Sequence, residues 1–128
     1  MNISFAIDEG IKILKEKSII TASLDAEILM AQAINKDRKF ILLNLNKRVN
    51  KNHLNNFQKL IKNRSRRIPV AYLTNKKFFW NSEFIVSNKT LIPRPDTELI
   101  VENVLNLTKS KNKLNILDIG IGSGCILL

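Results

Sequence analysis

The chain has 128 residues and a formal net charge of +10, because 21 Lys and Arg residues stand against 11 Asp and Glu residues. Its single cysteine, Cys125, excludes an internal disulfide and suits a reducing cytosol. No run reaches the ~18 apolar residues that a membrane span needs, and the first residues lack the basic start of a secretory signal. We therefore expect a cytoplasmic protein with no membrane partner.

The basic excess has two interpretations. One is binding to nucleic acid or to another acidic partner. The other combines the codon bias of an AT-rich genome, indicated by the many Asn, Lys and Ile residues, with compensating acids in a longer protein. We favour the second interpretation, so nucleic acid is not expected as the main partner.

The first half of the sequence predicts a small bundle of helices. Apolar residues recur at helical spacing over 3–17, and Ser23, Asp37 and Asn50 are suited to cap three further helices. The inward faces of the second and fourth helices are expected to be apolar: Leu24, Ile28, Ala31 and Ile34 in the second, and Leu54, Phe57, Leu60 and Ile61 in the fourth. Narrow stripes of this kind are typical of packed helices in a bundle.

Basic residues at 62–67 end the fourth helix. They predict a solvated helix terminus, where cations oppose the macrodipole, rather than a nucleic-acid site, because no aromatic side chain is interleaved with them. A docking role for a protein partner remains open. His53 lies among polar residues without a cluster of metal ligands, so no metal site is expected.

Two short aromatic and β-branched runs, 76–80 and 83–87, flank Asn81-Ser82 and predict a β-hairpin. Residues 91–98 then read Leu-Ile-Pro-Arg-Pro-Asp-Thr-Glu, in which two prolines hold the chain extended. Asp96 is predicted to cap a helix that carries Leu99, Ile100, Val104 and Leu105.

The last stretch, LNILDIGIGSGCILL over 114–128, predicts a buried strand, a tight turn and a helix start. Gly120, Gly122 and Gly124 allow positive φ and direct contact between backbone and ligand. Their spacing differs from the G-x-G-x-x-G of dinucleotide-binding proteins. With Asp118 two residues before the first glycine, the pattern resembles motif I of class I S-adenosylmethionine (SAM) methyltransferases. The alternative is a glycine-rich turn in another α/β protein.

The combination of LIPRPDTE with the later ILDIGIGSGCI resembles the HemK-type peptide chain release factor glutamine methyltransferases. Segments 24–34, 66–73 and 78–86 are also similar to that family in order and spacing. One departure is Thr74-Asn75, where the family usually has a glycine, and this leaves the turn into the hairpin undefined.

The resemblance implies a fold that combines α structure with the start of an α/β domain. It would comprise an N-terminal helical bundle, a β-hairpin linker, and then the first helix, strand and glycine loop of a truncated Rossmann-like SAM methyltransferase domain. The expected boundaries are 1–72 for a release-factor-docking domain, 73–90 for the linker and 91–128 for the incomplete methyltransferase domain.

The resemblance also implies the cofactor SAM, a peptide chain release factor as protein substrate, and a set of cofactor-binding residues. Those residues are Gly120, Ile121, Gly122, Ser123 and Gly124 in the loop, Asp118 bracing it, and Arg94, Pro95, Asp96, Thr97 and Glu98 lining the cofactor side. The reaction would move a methyl group to the side-chain amide N(5) of the Gln in a Gly-Gly-Gln loop.

The family's Asn-Pro-Pro-Tyr motif, which orients that amide, does not occur in this sequence. We therefore expect no catalytic residue in this chain, no activity when it is alone, and a possible second chain that completes the domain. Two alternatives stay open: a helical protein-docking module or gene remnant without catalysis, and a basic nucleic-acid-binding domain.

Overall fold

The computed structural model describes residues 1–110 and 113–127, and the chain divides into two compact units, Met1–Thr74 and Asn75–Leu128. The first unit holds the helices α1 (Ile3–Glu16), α2 (Ala22–Ile34), α3 (Arg38–Leu43), α4 (Lys51–Ser65) and α5 (Val70–Thr74). The predicted four helices are confirmed, and the short α5 after Pro69 is an addition. Among the described residues, no helix is both long enough and apolar enough to cross a membrane.

The core of the first unit is built from the inner faces of its helices. Buried apolar side chains come mainly from α1, α2 and α4 and include Ile3, Ile7, Leu14, Ala26, Leu29, Met30, Phe57 and Ile61. Gly10 lets α1 approach α4, since a Cβ at this position would lie 2.8 Å from Phe57 Cζ and 3.0 Å from Ile61 Cδ1. The predicted inward face of α4 is thereby confirmed.

Two of the three predicted caps are confirmed. The Phe40 N–H donates to Asp37 Oδ1 at 2.7 Å, and the His53 N–H donates to Asn50 Oδ1 at 2.8 Å. The third prediction was wrong, because α2 begins at Ala22, one residue before Ser23.

The predicted inward face of α2 was wrong at Leu24, whereas Ala31 is buried and Ile34 packs against the core as predicted. Leu24 is 43% exposed, whereas Asp25 is only 5% exposed and lies among the buried residues of the helix. The buried side of α2 is rich in alanine, which packs closely but gives a weak periodic signal. The partner that allows Asp25 to be buried is distant in sequence and is described below.

The second unit opens with an antiparallel hairpin of β1 (Lys76–Phe79) and β2 (Ser82–Ile85). Phe79 pairs with Ser82, so the two turn residues are Trp80 and Asn81, one position earlier than predicted. Trp80 takes a positive φ of 52° in this turn. The hairpin itself is confirmed.

A 3-10 turn, Pro95–Thr97, leads into α6 (Glu98–Thr108). Asp96 lies within this turn and is not the helix cap, and Thr97 at the cap position makes no side-chain capping bond. The helix was predicted correctly, but no residue of α6 is buried. The apolar side chains Leu99 and Ile100 are 61% and 51% exposed.

The strand predicted over 114–119 is not formed. Residues 114–118 have no regular secondary structure, and Leu117 is 84% exposed. A strand must pair its N–H and C=O groups with a neighbouring strand, and no other described segment pairs with this one. The helix predicted after Gly124 is likewise a series of turns through 127. The fold is thus helical with a two-stranded hairpin.

Candidate functional site

Residues 94–98, assigned by the resemblance to the cofactor side, form the entry to α6. Arg94 is extended (φ −89°, ψ 143°), as expected for a residue before proline, and the Thr97 N–H donates to its carbonyl at 3.1 Å. Arg94, Pro95 and Asp96 are exposed. Within the described residues, neither Arg94 nor Asp96 has an ion pair or side-chain hydrogen bond, so both side chains are accessible to a ligand.

Glu98 already has a structural partner. Its Oε1 accepts a hydrogen bond from the Trp80 N–H at 2.9 Å, which ties the first turn of α6 to the hairpin turn. A carboxylate is also favourable at this end of a helix, because the N-terminus carries partial positive charge. The structure therefore gives Glu98 a positioning role that the sequence did not reveal.

The glycine turn follows the backbone geometry expected from the sequence. Gly120, Gly122 and Gly124 have φ values of 92°, 56° and 77°, which residues with a side chain rarely adopt. The Gly124 N–H donates to the Ile121 carbonyl at 2.8 Å and closes the turn. A Cβ at Gly120 would meet nothing within 4 Å, so conformation rather than crowding accounts for the glycine.

Asp118, expected to brace this turn, is half-buried. Its Oδ2 is buried and has no hydrogen-bond partner in the part of the chain that the structure describes. A buried carboxylate oxygen without a donor costs about 1–3 kcal/mol or more. The turn therefore contains an acceptor that a ligand or a further polypeptide segment could satisfy.

Two features of this turn would suit a ligand such as the SAM that the resemblance implies. The Asp118 oxygen suits a hydroxyl or ammonium donor, and the space beside Gly120 admits a ligand close to the backbone. Ile121 is exposed, and Ser123 is half-buried. No hydrogen bond or ion pair of the described residues joins the turn to residues 94–98, so the two halves of the predicted site are not brought together by direct polar contacts.

His, Cys, Asp and Glu are the side chains that usually bind metal ions. The described ranges 1–110 and 113–127 hold no group of three of them placed to bind a metal ion. Cys125 is a free, half-buried thiol, and His53 is half-buried beside its helix cap.

One polar cluster escaped the sequence analysis. Arg64 Nε donates to Asp25 Oδ2 at 2.7 Å, and the Thr21 hydroxyl donates to the same oxygen at 2.9 Å. The Arg64 and Asp25 side chains are 18% and 7% exposed. The sequence does place Asp25 on the same helical stripe as Ala22, Ala26 and Leu29, and this spacing indicates a buried carboxylate. The cluster joins α2 to α4 and is structural.

Some basic side chains of the run at 62–67 are already engaged in contacts within the chain. Besides pairing with Asp25, Arg64 donates to the Ile68 carbonyl at 3.3 Å, and Arg67 donates to the Lys17 carbonyl at 3.2 Å. Lys62 and Arg66 are exposed. Two arginines of the run thus make hydrogen bonds or ion pairs within the first unit.

Comparison with known proteins identifies the first unit. Residues 6–74, more than half of the chain, match the family model described as the PrmC N-terminal domain. The chain belongs to this family.

Relatives named release factor glutamine methyltransferase extend the likeness over most of the chain. Those of Leptospira interrogans and Shewanella oneidensis are 44% identical over 114 residues and 40% identical over 108 residues, covering 88% and 84% of this chain. The relative from Clostridium botulinum is 37% identical over 118 residues. The family expected from the PRPDTE and glycine motifs is confirmed.

The chain spans 40% of the length of the Leptospira relative and 37% of the Shewanella relative. The names of these relatives describe the complete proteins. They identify the enzyme family of the chain, which is a methyltransferase family.

Proposed function

We propose that this chain forms the N-terminal part of a release factor glutamine methyltransferase. In this proposal residues 1–72 dock the release factor, residues 73–90 form the linker and residues 91–128 begin the SAM domain. The observation that carries the proposal is the family match over 6–74, together with relatives of one name over most of the chain.

The proposed reaction moves the methyl group from the sulfonium of SAM to N(5) of a glutamine in the release factor. The amide nitrogen is a weak nucleophile because its lone pair is delocalised into the carbonyl. Catalysis must therefore come from orientation of that nitrogen toward the methyl group, with loss of an amide proton. Gly120, Gly122 and Asp118 would contact the cofactor, and no residue of this chain is assigned to hold the glutamine.

We propose that the 128-residue chain alone does not transfer methyl groups. The positive-φ glycines support cofactor contact by the turn, but the exposed segment around Leu117 has no neighbouring strand among the described residues. Binding sites for molecules of this size bury most of the ligand surface, which a single turn cannot do. Pairing with further strands, on the same or a second polypeptide, would supply the missing walls.

A chimera tests the proposal directly. This chain would replace the aligned N-terminal part of the Leptospira relative, which is 44% identical to it. Methyl transfer from SAM to a bacterial release factor would be followed by mass spectrometry of the glutamine peptide. We expect methylation by the chimera and none by the isolated chain.

Two variants of the chimera test whether methylation depends on the glycine turn. Gly122→Val places a β-branched residue at a φ of 56°, so methylation should fall strongly. Ile20→Val, at a fully exposed position of the first unit, should leave methylation unchanged. A folded chimera that binds SAM but never methylates the release factor would refute the proposed function. Methylation by the isolated chain would refute its proposed inactivity.

A second candidate function, protein docking without catalysis, has one observation in its favour. The core lies almost entirely in the first unit, whereas α6 has no buried residue. Release-factor binding by the chain, without activity in the chimera, would support this candidate instead.

A further inference from the structure

The first unit has an open apolar groove between α1 and α4. Its volume is about 290 Å³, and its buried surface is formed by Ala6, Gly10, Phe57 and Ile61. Gly10 contributes no side chain, so the Phe57 ring and the Ile61 side chain of α4 form most of this surface. The groove follows from the same close helix approach that shapes the core.

Large apolar side chains also stand exposed along the α1 edge of the groove. Met1 and Ile13, which line it, are 50% and 43% exposed. Phe5 lies one helical turn before Glu9, another lining residue, and is 56% exposed. Exposed apolar side chains beside an apolar groove are typical of a surface that another molecule covers.

The size and composition of the groove indicate the kind of molecule. A volume of about 290 Å³ lies at the lower limit for small-molecule sites and suits one or two large apolar side chains. Glu9 and Lys62 are its charged lining residues, so the groove has no cluster of groups for acid–base chemistry. An amphipathic helix that inserts one or two apolar side chains between α1 and α4 would fit a groove of this size and composition.

The charge of the first unit indicates which polar side chains the bound helix would carry. Residues 1–74 hold 14 of the 21 Lys and Arg residues but only six of the 11 acids, so they carry +8 of the net charge of +10. On the α4 edge, Lys62 is exposed and Arg66 is exposed one turn further on. Neither has an ion pair within the described residues, whereas Arg38 and Arg64 do. Carboxylates beside the apolar anchors would complement this edge.

We infer that the α1–α4 groove binds an amphipathic helix of a protein partner, with one or two large apolar anchors in the groove and acidic side chains against Lys62 and Arg66. The inference rests on the proposed function in one respect, which is that the release factor supplies this helix. The exposed apolar edge, the groove volume and the excess of unpaired basic side chains all support the same occupant.

Binding of the full chain to a purified bacterial release factor tests the groove, with the dissociation constant measured by calorimetry. Ile13→Glu puts a charge on the groove edge and should weaken binding about tenfold or more. Ile20→Glu makes the same change at a fully exposed position that does not line the groove, and should leave the dissociation constant within about twofold. Circular dichroism and melting of both variants verify that the helices are retained.

Lys62→Gln tests the charge, with Lys39→Gln on α3 as the matched control. The first substitution should weaken binding and reduce its dependence on salt, since one screened attraction is lost. The control, at an exposed lysine that does not line the groove, should change neither quantity appreciably.

The outcomes separate the groove from the proposed function. If the wild-type chain binds the release factor and Ile13→Glu binds equally well, the groove assignment is overturned while docking stands. If the wild-type chain does not bind the release factor, both the docking function and this occupant are overturned. If an RNA oligonucleotide displaces the release factor equally from wild type and Ile13→Glu, the basic edge is a phosphate-binding surface and the inference fails.

Discussion

Asp25 and Arg64 form an ion pair in which the carboxylate is buried, the guanidinium is 18% exposed and each side chain makes a further hydrogen bond. Asp25 Oδ2 accepts from Arg64 Nε and from the Thr21 hydroxyl, while Arg64 also donates to the Ile68 carbonyl. Desolvation of two charges offsets much of their attraction, so an intact buried pair contributes modestly to stability. Loss of one partner is costly, because it leaves the other charge buried alone.

Arg64→Met should therefore destabilise the chain by about 3 kcal/mol or more, since it leaves the Asp25 carboxylate without its cation. Chemical denaturation followed by circular dichroism measures the change. Arg38→Met is the control, because the Arg38 side chain is 49% exposed and its pair with Glu27 should be worth less than about 1 kcal/mol. Equal losses for the two variants would contradict the assignment of Arg64 to a buried pair.

The double variant Asp25→Leu with Arg64→Met extends this experiment. Replacing both charges by apolar side chains of similar size should recover most of the stability lost in Arg64→Met. Recovery would attribute the loss to the unpaired carboxylate rather than to the shape of the methionine side chain.

Gly10 is the second residue on which the bundle depends. Gly10→Ala gains about 1 kcal/mol of helix propensity, but its Cβ would meet the Phe57 ring at 2.8 Å, and overpacking costs about 1–3 kcal/mol. We expect a net loss of about 1 kcal/mol in the free energy of unfolding. In the background Phe57→Leu, the same substitution should be neutral or stabilising, since the ring edge is gone.

At the scale of elements, the helix starts depend on local hydrogen bonds. Asn50 accepts from the His53 N–H and begins α4, so Asn50→Ala should cost about 1 kcal/mol of stability. Asn50→Asp retains the acceptor and should stay close to wild type. Denaturation midpoints of the two variants measure the effect, and equal losses would show that the cap bond is unimportant.

The caps also explain which elements could be predicted from the sequence. Asp37 and Asn50 were recognised because the capping side chain lies three residues from its donor. The burial of Asp25 on α2 was missed because it depends on Arg64, which lies 39 residues away. A pattern that treats every carboxylate as exposed assigns Leu24 to the core instead.

For the hairpin and the glycine segment too, features set by neighbouring residues were predicted and those that need distant residues were not. The hairpin was predicted from adjacent runs, and only its turn was misplaced, because Trp80 adopts a positive φ that asparagine or glycine more often takes. The positive φ values of Gly120, Gly122 and Gly124 were expected from local chemistry alone. The strand before them was not formed, because a strand depends on a partner that no local pattern supplies.

At the scale of the whole molecule, the buried apolar side chains of the described residues lie within Met1–Thr74 except for Phe79, Val86 and Pro93. A unit that contains its own core should fold alone. We expect residues 1–74, expressed by themselves, to show a helical circular dichroism spectrum and one cooperative unfolding transition. A spectrum of an unfolded chain would mean that the second unit is required for the bundle to form.

The second unit leads to a different expectation for the cofactor. The glycine turn would present SAM with one face only. The neighbouring Leu117 and Ile119 are 84% and 87% exposed, so the described residues form no apolar wall around a ligand there. Because tight sites bury about 70–90% of a ligand's surface, we expect no detectable heat when SAM is titrated into the 128-residue chain. The chimera with the Leptospira relative should bind SAM, and Gly122→Val should abolish that binding. Saturable binding by the isolated chain would instead require a partner copy that encloses the turn, and its molecular mass in solution would then be that of a dimer.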